Sequence, residues 1–85
     1  SRVMKLDVKL FATLKEKAQT RHFALELQKE QPTVKELLTE IIVQIPSLES
    51  SMKSALVAVN GEFAFPDQVI NANDKIALFP PVSGG

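Results

Sequence analysis

Residues 32–46 read PTVKELLTEIIVQIP, and this stretch decides the fold class. Thr33 can cap a helix, and Glu36, three residues later, completes a Thr-x-x-Glu capping box. Apolar residues then recur at helical spacing, and Pro46 ends the helix because the residue before a proline is pushed out of the helical region. The pattern predicts one long helix with a buried apolar face. That face consists of Val34, Leu37, Leu38, Ile41, Ile42 and Ile45.

Before this helix the chain predicts two strands joined by a short helix. Polar and apolar residues alternate over 3–11 and again over 23–27, which is typical of strands with one buried face. Between the strands, apolar residues at i, i+3 and i+7 predict a helix over 12–18. These three residues are Phe11, Leu14 and Ala18.

After the long helix the chain predicts three more strands. Residues 47–53 first form a turn of helix, and a continuous apolar run then suits a strand covered on both faces. Asn60-Gly61 predicts a hairpin turn because both residues tolerate positive φ. Pro80-Pro81 stops the last strand because proline donates no ladder hydrogen bond. The three strands are 55–59, 62–65 and 75–79.

One long helix on a mixed sheet of four or five strands is an α+β roll, and 85 residues make one domain. We expect this domain to span residues 1–79 and residues 80–85 to form a flexible C-terminal tail. Residues 1–3 precede Met4 and are either a cloning remnant or native.

The composition excludes most functions that depend on side chains. Cysteine is absent, which rules out a disulfide, a thiolate nucleophile and a cysteine metal site, and the single histidine leaves no metal site to expect. Ten basic and ten acidic residues give no electrostatic case for nucleic acid binding. No apolar stretch suits a membrane helix and no signal peptide is visible, so we expect a cytoplasmic protein without membrane contact.

No catalytic constellation is predicted either. His22 lies on the outward side of a predicted strand with Glu26 on the same face, which favours a surface histidine. The serines lack a histidine partner and a Gly-x-Ser-x-Gly elbow. Glu36 and Glu40 are most simply a solvated helix face, and one internal glycine cannot build a phosphate loop. We therefore expect neither a self-sufficient enzyme nor a cofactor bound by this chain.

The zero net charge hides an asymmetry along the chain. Residues 1–22 carry six basic and two acidic residues, a net of +4, whereas residues 23–85 carry four basic and eight acidic residues, a net of −4. The simpler interpretation is two solvated faces. The other is a polarised surface that steers a partner.

The remaining candidate for chemistry is the C-terminus. The chain has three glycines, and two of them, Gly84 and Gly85, are its last residues. Glycine permits close backbone approach in a narrow channel, and the α-carboxylate of Gly85 is the only reactive group that the tail could deliver. Because the pKa of an α-carboxyl group is roughly 3.3–3.7, it is ionised and unreactive at pH 7 until another enzyme activates it. The alternative interpretation is a frayed terminus or a cloning remnant.

The last seven residues, FPPVSGG from Phe79 to Gly85, closely resemble the C-terminal signature of the small subunit of molybdopterin synthase. Three other segments are similar to that family, and the resemblance begins at about Met4. These segments are VKLFATLKE (8–16), PTV (32–34) and LVAVN (56–60).

This resemblance implies a β-grasp, ubiquitin-like fold and a sulfur carrier. It implies that an adenylyltransferase related to ubiquitin-activating enzymes adenylates Gly85 with ATP, and that a sulfur-donor protein then gives a thiocarboxylate. The tail would enter the large catalytic subunit and donate sulfur to cyclic pyranopterin monophosphate (precursor Z) in molybdenum cofactor biosynthesis. The chain would be a non-catalytic subunit of a sulfurtransferase, active only with its large subunit, in a heterotetramer of two large and two small subunits.

The resemblance also implies roles along the tail. Gly85 is the reacting residue, and Phe79 is a candidate contact with partner proteins. Packing of Phe79 in the core is an equal alternative, because Ala77 and Phe79 share one face of the last strand while Ile76 and Leu78 share the other. The residues that would thread the tail into a partner are Pro80, Pro81, Val82, Ser83 and Gly84.

Two alternatives stay open. The first is a related sulfur carrier for thiamin or tRNA thiolation, which the residues FPPV ahead of the two glycines argue against. The second is a ubiquitin-like protein modifier or an interaction module. A modifier would form isopeptide bonds to lysines, whereas an interaction module would tolerate loss of Gly84 and Gly85.

Overall fold

A computed structural model of the chain describes residues 3–81. The predicted elements are confirmed, except that the fourth strand ends at Phe63 rather than at Phe65. A 3₁₀ turn at Pro46–Leu48 links α2 and α3. The elements are β1 (Met4–Leu10), α1 (Ala12–Ala18), β2 (His22–Leu27), α2 (Val34–Gln44), α3 (Glu49–Met52), β3 (Leu56–Val59), β4 (Glu62–Phe63) and β5 (Lys75–Phe79).

The five strands form one mixed sheet in the order β2-β1-β5-β3-β4. β1 and β5 run parallel, and the other neighbours are antiparallel. Helix α2 connects β2 to β3, which lie on opposite sides of the central pair β1 and β5. β2 therefore pairs antiparallel with β1, and β3 pairs antiparallel with β5. The first and last strands of the domain therefore meet in the middle of the sheet.

Helix α2 begins with the predicted capping box. The Glu36 N–H donates to Thr33 Oγ1 at 3.2 Å, and the Thr33 N–H donates to Glu36 Oε1 at 2.9 Å. The ammonium of Lys29 forms an ion pair with the same carboxylate. The hydrogen bond from Lys29, followed by the one from the Thr33 backbone, lowers the pKa of Glu36. The Glu36 side chain is 39% exposed, so it is partly solvated as expected, and its carboxylate also fixes the start of the helix as the capping box predicts.

The core lies between α2 and one face of the sheet. Helix α2 contributes Val34, Leu37 and Ile41 to this core, whereas Leu38 is half-buried at the margin of the core. The predicted stripe on α1 is only partly correct, because Leu14 is buried but Phe11 is 41% exposed. The sheet contributes Leu6, Val8, Leu10, Leu25, Leu27, Val57, Val59, Ile76 and Leu78 to this core.

The β3–β4 hairpin turns at Asn60-Gly61, as predicted. Their φ angles are 54° and 85°, and Val59 pairs with Glu62 across the turn. Two successive positive φ angles match the twist of the flanking strands. The Asn60 side chain also ties the hairpin to the start of β5, since the Lys75 N–H donates to its Oδ1 at 2.9 Å.

Within residues 3–81, three other residues that are not glycine hold a positive φ angle. They are Ala12 at 52°, Gln19 at 60° and Asn73 at 76°. Gln19 caps the C-terminal end of α1 in the left-handed conformation. The domain thus makes several left-handed turns without glycine, which helps to explain why glycine is scarce outside the tail.

Candidate functional site

The face of the sheet opposite the core is not covered by any helix within residues 3–81. Alternation along β1 places Leu6, Val8 and Leu10 in the core and Lys5 and Lys9 on this open face. The open face forms a shallow groove, which is lined by lysine and aspartate side chains near the start of β5 and by aromatic side chains near its end. The predicted tail begins at the aromatic end, where β5 ends at Phe79.

Three phenylalanine rings meet where β5 ends. Phe79 stacks on Phe11 with ring centroids 4.6 Å apart and planes 9° from parallel, and it meets the edge of Phe63 at 6.3 Å and 75°. Both geometries are preferred by aromatic pairs. The Phe11 N–H donates to the carbonyl of Leu78 at 3.2 Å, which fixes the stacked pair across β1 and β5.

We call Phe11, Leu56, Phe63 and Phe79 the aromatic patch. Leu56 belongs to it as the ladder partner of Phe79. Phe11, Leu56 and Phe63 are 41%, 37% and 71% exposed, and Phe79 is half-buried. Contiguous exposed apolar side chains on a small domain commonly mark an interaction site. The prediction that β3 is covered on both faces is therefore correct at Ala58, which is 7% exposed, and wrong at Leu56.

The two alternatives for Phe79 are separated by the sheet register. Ile76 and Leu78 point into the core, and Ala77 and Phe79 lie on the open face. Phe79 packs on neighbouring rings rather than in the core. Its role as a partner contact stays a prediction.

The tail starts directly beside the aromatic patch. Pro80 is half-buried and Pro81 is exposed. The remaining predicted tail residues lie outside the described part of the chain. They are Val82, Ser83, Gly84 and Gly85, the last of which is the predicted reacting residue.

The side chains considered for acid–base chemistry are held in separate contacts. His22 is exposed, and the Glu26 carboxylate lies 3.7 Å from the Lys5 ammonium. Glu40 accepts a hydrogen bond from Gln44 at 3.1 Å. Within the described range 3–81, no three acidic or histidine side chains cluster closely enough to hold a metal ion. None of the α-helices described there has the length and apolarity needed to cross a membrane.

A second, smaller pocket adjoins the aromatic patch where β1 turns into α1. It is lined by Lys9, Lys15 and Arg21 together with Leu10, Phe11 and Ala12. All three cationic residues are exposed. The Leu10 N–H donates to the Arg21 carbonyl at 2.8 Å, which holds the start of β2 beside the end of β1. We call Lys9, Lys15 and Arg21 the cationic pocket.

Sequence reasoning missed Phe11 and Phe63 as surface residues. The signal for Phe11 was present, because the alternation that puts Lys5 and Lys9 outside continues to Phe11. Its helical spacing to Leu14 masked that signal. Nothing local marks Phe63, whose place in the patch follows from its pairing with Ala58 across the hairpin.

Comparison with known proteins agrees with this architecture. The ThiS family matches residues 8–85. The chain is 37% identical to the molybdopterin synthase sulfur carrier subunit of Dictyostelium discoideum, over 89% of this chain and 91% of that protein. It is also 35% identical to small archaeal modifier protein 1 of Haloferax volcanii, over 94% of this chain and 100% of that protein.

Solved structures show the same fold. The crystal structure of the Haloferax volcanii modifier gives a TM-score of 0.83 over 95% of this chain and 99% of that one, at 35% identity. A ubiquitin of Caldiarchaeum subterraneum gives 0.65 over 99% of this chain and 100% of that one, at 14% identity, which shows a shared ubiquitin-like β-grasp. With its family match over nearly the whole length and this common fold, the chain belongs to the ThiS family.

Proposed function

We propose that this chain is the sulfur-carrier subunit of a molybdopterin synthase. The observation that carries the proposal is the similarity to the Dictyostelium discoideum sulfur carrier subunit, which extends over nearly the full length of both chains. The FPPVSGG ending and its exit beside an exposed aromatic patch support the same assignment.

The proposed chemistry takes place at the α-carboxylate of Gly85. An adenylating enzyme joins this carboxylate to the AMP moiety of ATP and releases pyrophosphate. A donor of sulfide-level sulfur then attacks the acyl carbon, AMP leaves, and a thiocarboxylate remains, which is a stronger nucleophile than the carboxylate. In the large subunit, the thiocarboxylate sulfur attacks a carbon of cyclic pyranopterin monophosphate and displaces an oxygen substituent. Water then cleaves the acyl–sulfur bond, which leaves the sulfur on the pterin and regenerates the Gly85 carboxylate. Gly84 has no Cβ, so the tail can approach both enzymes closely.

The aromatic patch supplies a docking surface for this tail in the proposal. Phe11, Phe63 and Phe79 lie at the strand end from which the tail leaves, so binding there would direct the tail into the cleft of the large subunit. Rigid aromatic side chains are typical anchors of protein interfaces. The chain shares its fold with a subunit of Helicobacter pylori molybdopterin-converting factor solved as a complex of subunits 1 and 2 (23% identity, TM-score 0.64, 96% of this chain and 100% of that one).

Intact-mass measurement tests the proposal. The chain is incubated with the activating enzyme, ATP and a sulfur source, and we expect the mass to rise by the difference between sulfur and oxygen at Gly85. The variant that lacks Gly85 should show no rise while its unfolding curve stays unchanged. An unmodified C-terminus in the full-length chain, under conditions that thiolate a known carrier, would contradict the proposal.

A second candidate function is protein modification. The 35% identity to small archaeal modifier protein 1 favours it. A modifier would join Gly85 to lysine side chains and give conjugates of higher mass in its native host. Such conjugates, together with failure to restore a strain that lacks the molybdopterin synthase small subunit, would favour the modifier. Restoration without conjugates would favour the carrier.

A further inference from the structure

We propose that the cationic pocket of Lys9, Lys15 and Arg21 is a docking subsite for a carboxylate-bearing segment of the large subunit that receives the tail. The inference rests on the proposed function and adds to it a second contact surface, electrostatic rather than apolar. It selects the second interpretation of the charge asymmetry, a polarised surface that steers a partner.

The first observation is that the three cations have no acidic partners. Within residues 3–81, no aspartate or glutamate forms an ion pair with Lys9, Lys15 or Arg21, whereas Lys5 pairs with Glu26 and Lys29 with Glu36. Three like charges around one small pocket give it a positive local potential. A partner that supplies carboxylates there would be attracted to it.

The second observation is that the pocket continues into the aromatic patch. The Phe11 side chain belongs to both surfaces, since its ring stacks on Phe79 and it also lines the cationic pocket. A protein that covers Phe11 and Phe79 therefore brings its neighbouring residues over Lys9, Lys15 and Arg21. An apolar centre with a charged rim is the usual arrangement of a protein interface.

The third observation concerns the kind of occupant. The chain between Lys9 and Lys15 contains one left-handed residue, Ala12, and no glycine, so it forms no glycine-rich phosphate cradle. The three cations are exposed on the rim of a shallow pocket, a geometry that suits extended carboxylate side chains. Charges in this position chiefly speed association, and their effect falls with salt.

The experiment compares two double charge reversals of equal size. Lys15→Glu/Arg21→Glu changes the cationic pocket, and Lys35→Glu/Lys53→Glu changes two exposed lysines outside both surfaces. Association of each full-length variant with the purified large subunit is followed by stopped flow in 0.1 M and 1 M salt. Thermal unfolding of both variants checks that the fold is kept.

We expect the pocket variant to associate about 10–100-fold more slowly than the wild type in 0.1 M salt. The difference in association rate between this variant and the wild type should narrow to within about threefold in 1 M salt, where the Debye length is about 3 Å. The matched control should stay within about threefold of the wild type at both salt concentrations. Neutral Lys15→Gln/Arg21→Gln should fall between the wild type and the charge reversal.

Two results would overturn the inference and leave the proposed function intact. One is rapid, salt-independent binding of the pocket variant to the large subunit. The other is saturable binding of inorganic phosphate or ATP at Lys9, Lys15 and Arg21, seen in amide spectra, with unchanged association to the large subunit. If the wild-type chain does not bind the large subunit at all, the proposed function fails together with the inference.

Discussion

Phe11 and Phe79 stack with nearly parallel rings, although Phe11 follows the first strand of the domain and Phe79 ends the last. The stack bridges the parallel pair β1 and β5 on the face of the sheet that no described helix covers. It holds the strand end that carries the tail without taking part in the core. Residues of this stack can therefore be substituted while the fold is kept.

The aromatic patch should separate binding from stability. Phe11→Ala should lower the free energy of unfolding by about 0.5–1.5 kcal/mol through loss of the aromatic pair. Leu78→Ala, in the core, should cost about 2–5 kcal/mol. Urea unfolding measures both.

Phe79→Ala should raise the Kd for binding of this chain to the large subunit at least about tenfold, as expected for an aromatic anchor. Phe65→Ala is the matched control, because Phe65 is 74% exposed and contacts no other ring within residues 3–81. Titration calorimetry measures both values. An equal loss for Phe65→Ala would show that the effect is not specific to the patch.

Truncating a side chain of α2 to alanine should lower the free energy of unfolding less when that side chain is more exposed. Ile41→Ala removes a fully buried side chain and should cost about 2–5 kcal/mol. Leu38→Ala should cost less, because Leu38 lies half-buried at the margin of the core. Val43→Ala should change stability by less than about 0.5 kcal/mol, since Val43 is 65% exposed. Equilibrium denaturation would contradict this ranking if Val43→Ala cost as much as Ile41→Ala.

The Lys29–Glu36 ion pair should make stability depend on pH in the acid range. The pKa of Glu36 is lowered in the folded state from its ordinary value of 4.5, first by the Lys29 hydrogen bond and then by the Thr33 backbone. The carboxylate therefore stabilises the fold above pH 4.5, and this contribution disappears as the pH falls through the lowered pKa.

Glu36→Gln tests this, because glutamine can keep the oxygen that accepts from Thr33 but cannot carry the charge. The wild type should be more stable than Glu36→Gln at pH 6, and the difference should shrink toward pH 3. Lys29→Gln should show the same trend. Thermal unfolding between pH 3 and pH 6 supplies the comparison, and a difference that grows on acidification would refute it.

The left-handed end of α1 offers a stabilising substitution. Gln19 has a φ of 60°, a conformation that costs residues with a Cβ roughly 1–2 kcal/mol relative to right-handed backbone. Gln19→Gly should raise stability by up to about 1 kcal/mol, after the greater freedom of glycine in the unfolded chain is subtracted. Gln19→Ala also removes the amide group but keeps the Cβ, so it should give no gain. Chemical denaturation of the three proteins distinguishes backbone relief from loss of the side chain.

Local signals predicted much of this fold, and long-range pairing decided the rest. The capping box of Thr33 and Glu36 and the Asn60-Gly61 turn are correct because each forms within a few residues. Phe11 was misplaced because strand alternation and helical spacing overlap at that residue. The ambiguity of Phe79 could not be resolved from β5 alone, since alternation gives two faces but does not say which one a helix covers.

Part of the candidate site could likewise be predicted from the sequence, and part of it depends on how the chain folds. The tail is predicted from Gly84 and Gly85, which stand out in a chain with one other glycine, and it stays a prediction because both residues lie outside the described range. The cationic pocket was visible only as a charge excess, because Lys9, Lys15 and Arg21 belong to β1, α1 and the loop before β2. Their convergence depends on the turn at Ala12 and on the Leu10–Arg21 hydrogen bond.

The central position of β5 has a consequence for biosynthesis. β5 separates β1 from β3, so a chain still lacking it has a sheet in two halves and a core without Ile76 and Leu78. During translation, β5 is still inside the ribosome when the rest of the domain has emerged. The domain can therefore complete its sheet and its core only after β5 has left the ribosome. Prematurely terminated chains that lack β5 should be removed as unfolded protein rather than compete for partners.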